Sequence, residues 1–321
     1  MGFERPEEPS GEGPRALRPA VAGPKLAFLG TERVMSIWKA VVFLFLMIEV
    51  APRITGILIL PFFNLLGGTS TVFALLCFEA GNFGILLGTC VFLSRWDGRT
   101  FGDYGLPRVT AFGQNFWLGW LLGLTEISVL IGLITVFGGF TFGTFALRGT
   151  AIASWGLFHL VLFLFVGLYE EFLFRGYAQF TLGSGIGFWP AAILLSAVFG
   201  YMHRGNPGEN WVGITSVLLI GLLFAFTLRR TGNLWYAVGL HAGFDWGETY
   251  LFSVPNSGAV EPGHLSNAVL HGPAWLTGGT VGPEGSAFCF VTMGLQFLLV
   301  MWLFPAEKRA PTGGTAEWQG Q

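Results

Sequence analysis

Glu170, Glu171 and Arg175 stand together in the segment Tyr169-Glu170-Glu171-Phe172-Leu173-Phe174-Arg175-Gly176-Tyr177, with apolar residues before it at 157–168 and after it at 178–182. On helical spacing Glu171 and Arg175 are i,i+4 and share a face, which favours an ion pair. Glu170 falls on a different face and is expected to keep its carboxylate free. A free carboxylate in an apolar setting suits a general base or acid near neutral pH. Two histidines follow on later apolar segments. His203 closes Phe199-Gly200-Tyr201-Met202-His203, and His241 opens His241-Ala242-Gly243-Phe244-Asp245. In the latter, imidazole and carboxylate are i,i+4 on one helix face. Glu170, His203, His241 and Asp245 could activate a water by acid–base chemistry, or supply N and O ligands to zinc. The bland alternative has the acids and Arg175 marking a helix end among lipid headgroups, with each histidine structural. Their concurrence on three neighbouring apolar segments weighs against it.

The elements that must position these groups are set by the solvent the composition implies. Hydrophobic residues make up 52% of the 321 and charged residues 11%, against roughly 25% charged in a soluble domain. Of the charged residues, ten precede Val34 and four follow Phe304. The remainder could not cover the surface of a soluble fold, so a lipid bilayer is the implied solvent. The expected fold is an all-α polytopic membrane protein. Its eight spans are read at 36–64 (interrupted by Glu49, Pro52 and Arg53), 72–94, 112–137, 153–182, 187–203, 211–228, 233–250 and 286–304. The polar site then lies among the fourth, fifth and seventh. Residues 1–33 and 305–321 read as disordered cytoplasmic tails around a membrane domain over 34–304. Residues 1–32 lack the apolar core of a signal peptide.

Lys and Arg fall in the N-terminal tail, the 95–111 loop, Arg229-Arg230 and Lys308-Arg309, whereas 65–71 and 251–285 carry none. This asymmetry places both termini in the cytoplasm of a cell-membrane protein. A net charge of −2 leaves no basic stripe for nucleic acid. Cys77, Cys90 and Cys289 are far apart in apolar runs and read as small hydrophobes. The frequent glycines read as sites of close helix packing. Depth adds one constraint. Glu170 and His203 can meet only if the fourth helix runs on past Arg175 to about 182, so one continuous helix is expected across 160–180.

Glu-Glu-x-x-x-Arg, Phe-x-x-x-His and His-x-x-x-Asn/Asp, in that order and each in an apolar helix, resemble the CAAX protease and bacteriocin-processing family of intramembrane endopeptidases, which includes the lysostaphin-resistance-A-like or Abi proteins. The likeness covers about 153–250. It implies hydrolysis of a peptide bond in a membrane-associated peptide or protein. By position, Glu170 would activate the water with help from His203, and Glu171 and Arg175 would hold that helix face. His241 and the residue at 245 would steady the oxyanion. The family more often has Asn at the last position. Asp245 donates to an oxyanion only when protonated, and otherwise orients His241 or binds a metal. A metal-free reaction is preferred; a zinc ion, if present, would be held by Glu170, His203, His241 and Asp245.

Motifs of other intramembrane proteases are absent: there is no His-Glu-x-x-His and no Gly-x-Gly-Asp, and Ser184 lacks the glycine two places before it. His159 shares the Glu170 face but lies about 16 Å along the axis, so it is expected to be structural or to line an access path. His264 and His271 are expected to be solvated in the 251–285 loop. Glu79 and Glu126 are single acids without an evident partner, and Glu49 with Arg53 is a local ion pair. Two other functions compete with the peptidase. One is a non-catalytic membrane scaffold or immunity protein. The other is a proton-coupled transporter, against which stands the absence of repeat symmetry.

Overall fold

The computed structural model describes residues 25–65 and 71–305. The expected loop 65–71 and the tails over 1–24 and 306–321 therefore lie largely outside the described residues. Apolar composition without strand-like alternation dictates helices, and 76% of the described residues are helical. Among the described residues the paired strands are two residues long, β1 (Phe140–Thr141) and β2 (Val269–Leu270), antiparallel to each other. The helices are α1 (Lys25–Phe45), α2 (Ala51–Leu65), α3 (Thr71–Trp96), α4 (Gln114–Val136), α5 (Thr150–Glu171), α6 (Gln179–Ile186), α7 (Phe188–His203), α8 (Trp211–Thr231), α9 (Trp235–Trp246), α10 (Ala274–Thr277) and α11 (Ala287–Leu303). The protein is an all-α, multi-pass integral membrane protein.

Five helical runs are long and apolar enough to cross a bilayer: 30–59, 73–96, 114–136, 150–186 and 211–231. α7 and α11 are apolar but shorter. The helix that carries the first run starts at Lys25, ahead of the boundary expected at 34, and is not broken at Pro52. A π-helical turn, Leu46–Val50, joins α1 to α2 without a loop, and Glu49 pairs with Arg53 at 2.9 Å.

The expected continuous helix across 160–180 needs correction. The chain stays helical past Arg175 as far as Ile186, but Phe172–Ala178 is a π segment in which Gly176 leaves the helical region (φ −83, ψ −121). A side chain at 176 would press on the Phe172 ring. Such π turns interrupt α-helices mostly at functional sites. A third one, Gly247–Leu251, follows α9 directly after Asp245.

Small residues bring α4 and α9 into backbone contact. A Cβ on Gly119 or Gly123 would lie 2.2 Å from the Tyr236 carbonyl oxygen or 2.0 Å from that of Leu240. Reciprocally, one on Gly239 or Gly243 would meet the carbonyl oxygens of Phe116 and Trp120 at 2.1 Å. This is a Gly-x-x-x-Gly pair facing another, the means by which helices approach closely where lipid removes the hydrophobic drive. α9 is also pinned along its length. Leu234 N–H donates to the Gly105 carbonyl (2.7 Å) and Trp235 Nε1 to Pro107 (3.0 Å). Trp246 Nε1 donates to Gly156 (2.9 Å) and Tyr250 OH to Ile152 (2.6 Å), both on α5.

Asp97, just beyond α3, ties down the opposite side of the bundle. Lys39 Nζ of α1 lies 2.8 Å from it, Tyr104 OH donates to it at 2.9 Å and Tyr177 OH at 3.4 Å. Burial alone would raise this carboxyl, but the Lys39 and Tyr104 hydrogen bonds outweigh it and hold it below its ordinary range. A depressed carboxyl stabilises the fold above its ordinary pKa of about 4 and loses that contribution as pH falls through the lowered value. Asp97→Asn should therefore unfold at a lower temperature than the parent at pH 7 in detergent, with the gap closing below about pH 4. A gap unchanged between pH 7 and pH 3 would contradict the assignment.

Candidate functional site

Each expected site residue sits in a helix whose local sequence explains its position. Glu170 and Glu171 end α5, and Arg175 lies one turn on in the π segment. His203 ends α7, while His241 and Asp245 occupy the last turns of α9. The close α4–α9 packing and the approach of Gly167 on α5 to the Val238 carbonyl, where a Cβ would stand 3.2 Å away, draw His241 against the end of α5.

The result is an imidazole ringed by acids. His241 Nδ1 lies 3.0 Å from Glu171 Oε1, and Nε2 lies 3.4 Å from Asp245 Oδ2 and 3.8 Å from Glu170 Oε2. The ring stacks on Phe224 at 5.3 Å between centroids. The structure thus brings Glu170, Glu171, His241 and Asp245 together. The i,i+4 relation of His241 to Asp245 and of Glu171 to Arg175 (3.4 Å) is seen in the contacts. His203 lines the same cavity as His241 and Asp245. Its Nδ1 lies 2.8 Å from the Phe199 carbonyl. A carbonyl only accepts, so Nδ1 donates to it, and in the neutral ring Nε2 keeps the lone pair. His203 faces Glu170 through space, close enough to act on its charge, and among the described residues no direct hydrogen bond joins the two.

Two expectations about the acids are corrected. Glu170 is not free, since it faces His241 Nε2. Glu171 does more than hold Arg175, because the same oxygen accepts from His241 and fixes which ring nitrogen points at Glu170. Glu171 is fully buried and Arg175 is 1% exposed. The guanidinium also lies 4.6 Å from the Phe199 ring centroid and 5.4 Å from that of Phe224, in cation–π range. Gly221 makes the room: a Cβ there would stand 2.4 Å from Arg175 Nη2.

Residues set aside in the sequence divide in the structure. His159 is fully buried, donates from Nδ1 to the Trp155 carbonyl (3.0 Å) and stacks on Phe163 and Tyr250, a structural role. His264 is not simply solvated, being half-buried against the Glu261 carbonyl, whereas His271 is exposed on Thr141. Cys90 and Cys289 are buried and all three cysteines are free. Glu79 lies near enough to Glu170 to interact with it electrostatically.

The cavity beside His241 measures about 90 Å³, and Glu170 is not among the residues that line it. Three further acids line it: Glu126 from α4, Glu248 from the turn after Asp245, and Glu284 from the 252–286 connection. Glu126 reads as a solitary acid in the sequence, but Glu248 has a legible signal, lying one turn beyond Asp245 and two beyond His241. Glu284 has none, because a long connection folds back to place it. Ser257 N–H donates to Glu284, and the Glu284 and Glu248 carboxyls are hydrogen-bonded to each other. Among the described residues no three His, Cys, Asp or Glu side chains converge as a metal site.

An all-α membrane protein with a carboxylate–histidine cluster buried where α5, α7 and α9 meet is the class this geometry defines. Residues 152–247, which include every one of those side chains, match the family model described as type II CAAX prenyl endopeptidase Rce1-like. The match bears out the resemblance to the CAAX proteases over that segment and is that of a membrane protease family. No curated protein and no solved structure gave a match.

Two outcomes follow from the burial of these charges. Glu171→Ala would leave Arg175 without its carboxylate, a loss that typically costs about 3–5 kcal/mol for a buried pair. Denaturation in detergent should register it, and a Glu171→Ala protein as stable as the parent would contradict the pairing. Burial pushes Glu284 up to about 7. A raised carboxyl contributes stability below its ordinary pKa and loses it as pH rises through the folded value. The parent should lose stability between pH 5 and pH 8, and Glu284→Gln, which can still accept from Glu248, should flatten that slope.

Proposed function

We propose that this protein is an intramembrane endopeptidase that hydrolyses a peptide bond in a membrane-associated peptide or protein with a water activated by Glu170. The observation that carries this reading is the convergence of Glu170, Glu171 and Asp245 on the two nitrogens of His241 inside the segment that matches the prenyl endopeptidase family. Glu170, whose side chain is 27% exposed beside His241, accepts a proton from water as the oxygen attacks the scissile carbonyl. The lone-pair Nε2 of His203 helps to hold that water. The negative charge that develops on the carbonyl oxygen is met by the Nε2–H of His241, whose orientation is set by Glu171 at Nδ1. Asp245, at 3.4 Å from the same nitrogen, holds the ring between turnovers and donates to the oxyanion when protonated. As the C–N bond breaks, Glu170 returns its proton to the leaving amine.

Glu171 and Arg175 position these groups without touching substrate. The step uses no metal. Eight spans with both termini cytoplasmic, in the cell membrane, complete the proposed arrangement: α7, α9 with its π extension, and α11 would join the five longer runs. Lipid and a membrane-borne polypeptide are the partners.

The test is cleavage of a membrane-inserted peptide by the purified chain, read by mass spectrometry. Glu170→Gln keeps the shape but not the proton acceptor, and turnover should fall at least about 100-fold, the lower end of the range for general acid–base catalysis. Chelator should leave the parent rate unchanged. Full activity in Glu170→Gln would overturn the assignment, and loss of activity in chelator, restored by zinc, would replace the metal-free step.

A further inference from the structure

The cavity beyond His241 has a chemical character that hydrolysis does not use. Its walls are aliphatic and aromatic, with Val217, Ile220, Phe244 and Met293 among them. Its far side carries Glu126, Glu248 and Glu284. Glu126 is 5% exposed, and its carboxyl oxygens accept from no group in the protein: the one polar neighbour, the Thr292 hydroxyl, gives its proton to the Cys289 carbonyl. One oxygen of Glu248, which is 1% exposed, and one of Glu284 are likewise unpartnered. Four buried acceptor oxygens therefore border one small cavity. Buried acceptors are nearly always satisfied in native proteins, so they call for a donor-rich occupant.

Charge narrows the choice. With Asp245, four acids face two histidines across this space, and no Lys or Arg lines it. Glu248 and Glu284 are hydrogen-bonded to each other, and among the described residues no three acids or histidines converge in metal-ligand geometry. A point ion is thus a poor fit, whereas a group with several N–H donors on an apolar stem suits both the acids and the walls. A primary ammonium has three donors and no acceptor, and its alkyl stem packs on apolar surface. Water would serve the acceptors but gains nothing from the walls or the charge.

We propose that this cavity is a recognition pocket for an alkylammonium group, the side chain of a lysine next to the scissile bond, with Glu126, Glu248 and Glu284 as its specificity-determining residues. That the lysine belongs to a substrate rests on the peptidase reading; the ammonium site itself does not. His241 and Asp245 border both regions, so a lysine seated here places its own backbone beside the groups that act on the peptide bond.

The probe is n-pentylamine, fully protonated at pH 7, against n-pentanol as its neutral analogue of the same shape. Both are titrated into the purified Glu170→Gln chain in detergent, with binding read from the thermal shift. The amine should bind tighter than the alcohol by about tenfold or more, the scale of one hydrogen bond to a charged group. Glu126→Gln should shrink that preference while leaving pentanol binding as it was. Glu248→Gln, which keeps its hydrogen bond to Glu284, gives an independent variant if Glu126→Gln fails to fold. Equal affinity for amine and alcohol, or a preference unchanged in both variants, would overturn the site. In the catalytic arm, the parent is given paired peptides with lysine or norleucine beside the cleaved bond. A lysine preference lost in Glu126→Gln supports the pocket as a substrate site. Selective amine binding without any hydrolysis would sink the peptidase reading and leave the ammonium site standing. Hydrolysis that ignores lysine would remove the substrate role.

Discussion

A guanidinium in the middle of an apolar bundle must be neutralised where it stands, and much of this structure follows from that need. Arg175 is shielded from water by α7 and α8, so the Glu171 carboxyl must stand beside it, one helical turn away. Once Glu171 is fixed, its oxygen is the acceptor that sets the His241 ring. The ring's other nitrogen is then directed at Glu170 and Asp245. Phe199 and Phe224 take part twice, as cation–π partners of Arg175 and as ring contacts of the histidines, Phe199 edge-on to His203 and Phe224 stacked on His241. The charge that looks least connected with chemistry thus orients the groups that carry it.

The second requirement is that α9 come close enough for this to happen. Side chains larger than hydrogen at Gly119, Gly123, Gly239 or Gly243 would strike backbone oxygens of the facing helix. The contact is between main chains, and side-chain rotamers cannot relax it. With hydrogen bonds to the 105–107 loop at one end and to α5 at the other, α9 is located along its axis as well as across it. The π turns that follow Glu171 and Asp245 depart from the α-helical hydrogen-bond pattern directly beyond both acid-bearing segments, near the cavity.

Much of this was legible in the sequence, for identifiable reasons. Charge scarcity and apolar runs gave the helical membrane architecture, because a bilayer permits few alternatives for satisfying backbone groups. The i,i+4 pairs, Glu171 with Arg175 and His241 with Asp245, were readable because they depend on helical geometry alone. What depends on one helix meeting another was not. The bond from His241 to Glu171 joins residues 70 apart in the chain, and no local spacing announces it. The π segments were missed for a related reason: Phe172–Ala178 keeps an apolar helical pattern, and its departure arises from packing around Phe172 and Gly176. Glu284 was illegible because a connection without periodicity carries it back to Glu248, whereas the spacing of Glu248 from Asp245 could have been noticed.

The backbone contact between α4 and α9 bears on how such a molecule could move. Two helices whose carbonyls meet the α-carbons of their neighbour cannot slide or roll without collision, so they behave as one stiff body. His241 and Asp245 ride on that body, so main chain rather than rotamer choice holds them at a fixed distance from α4.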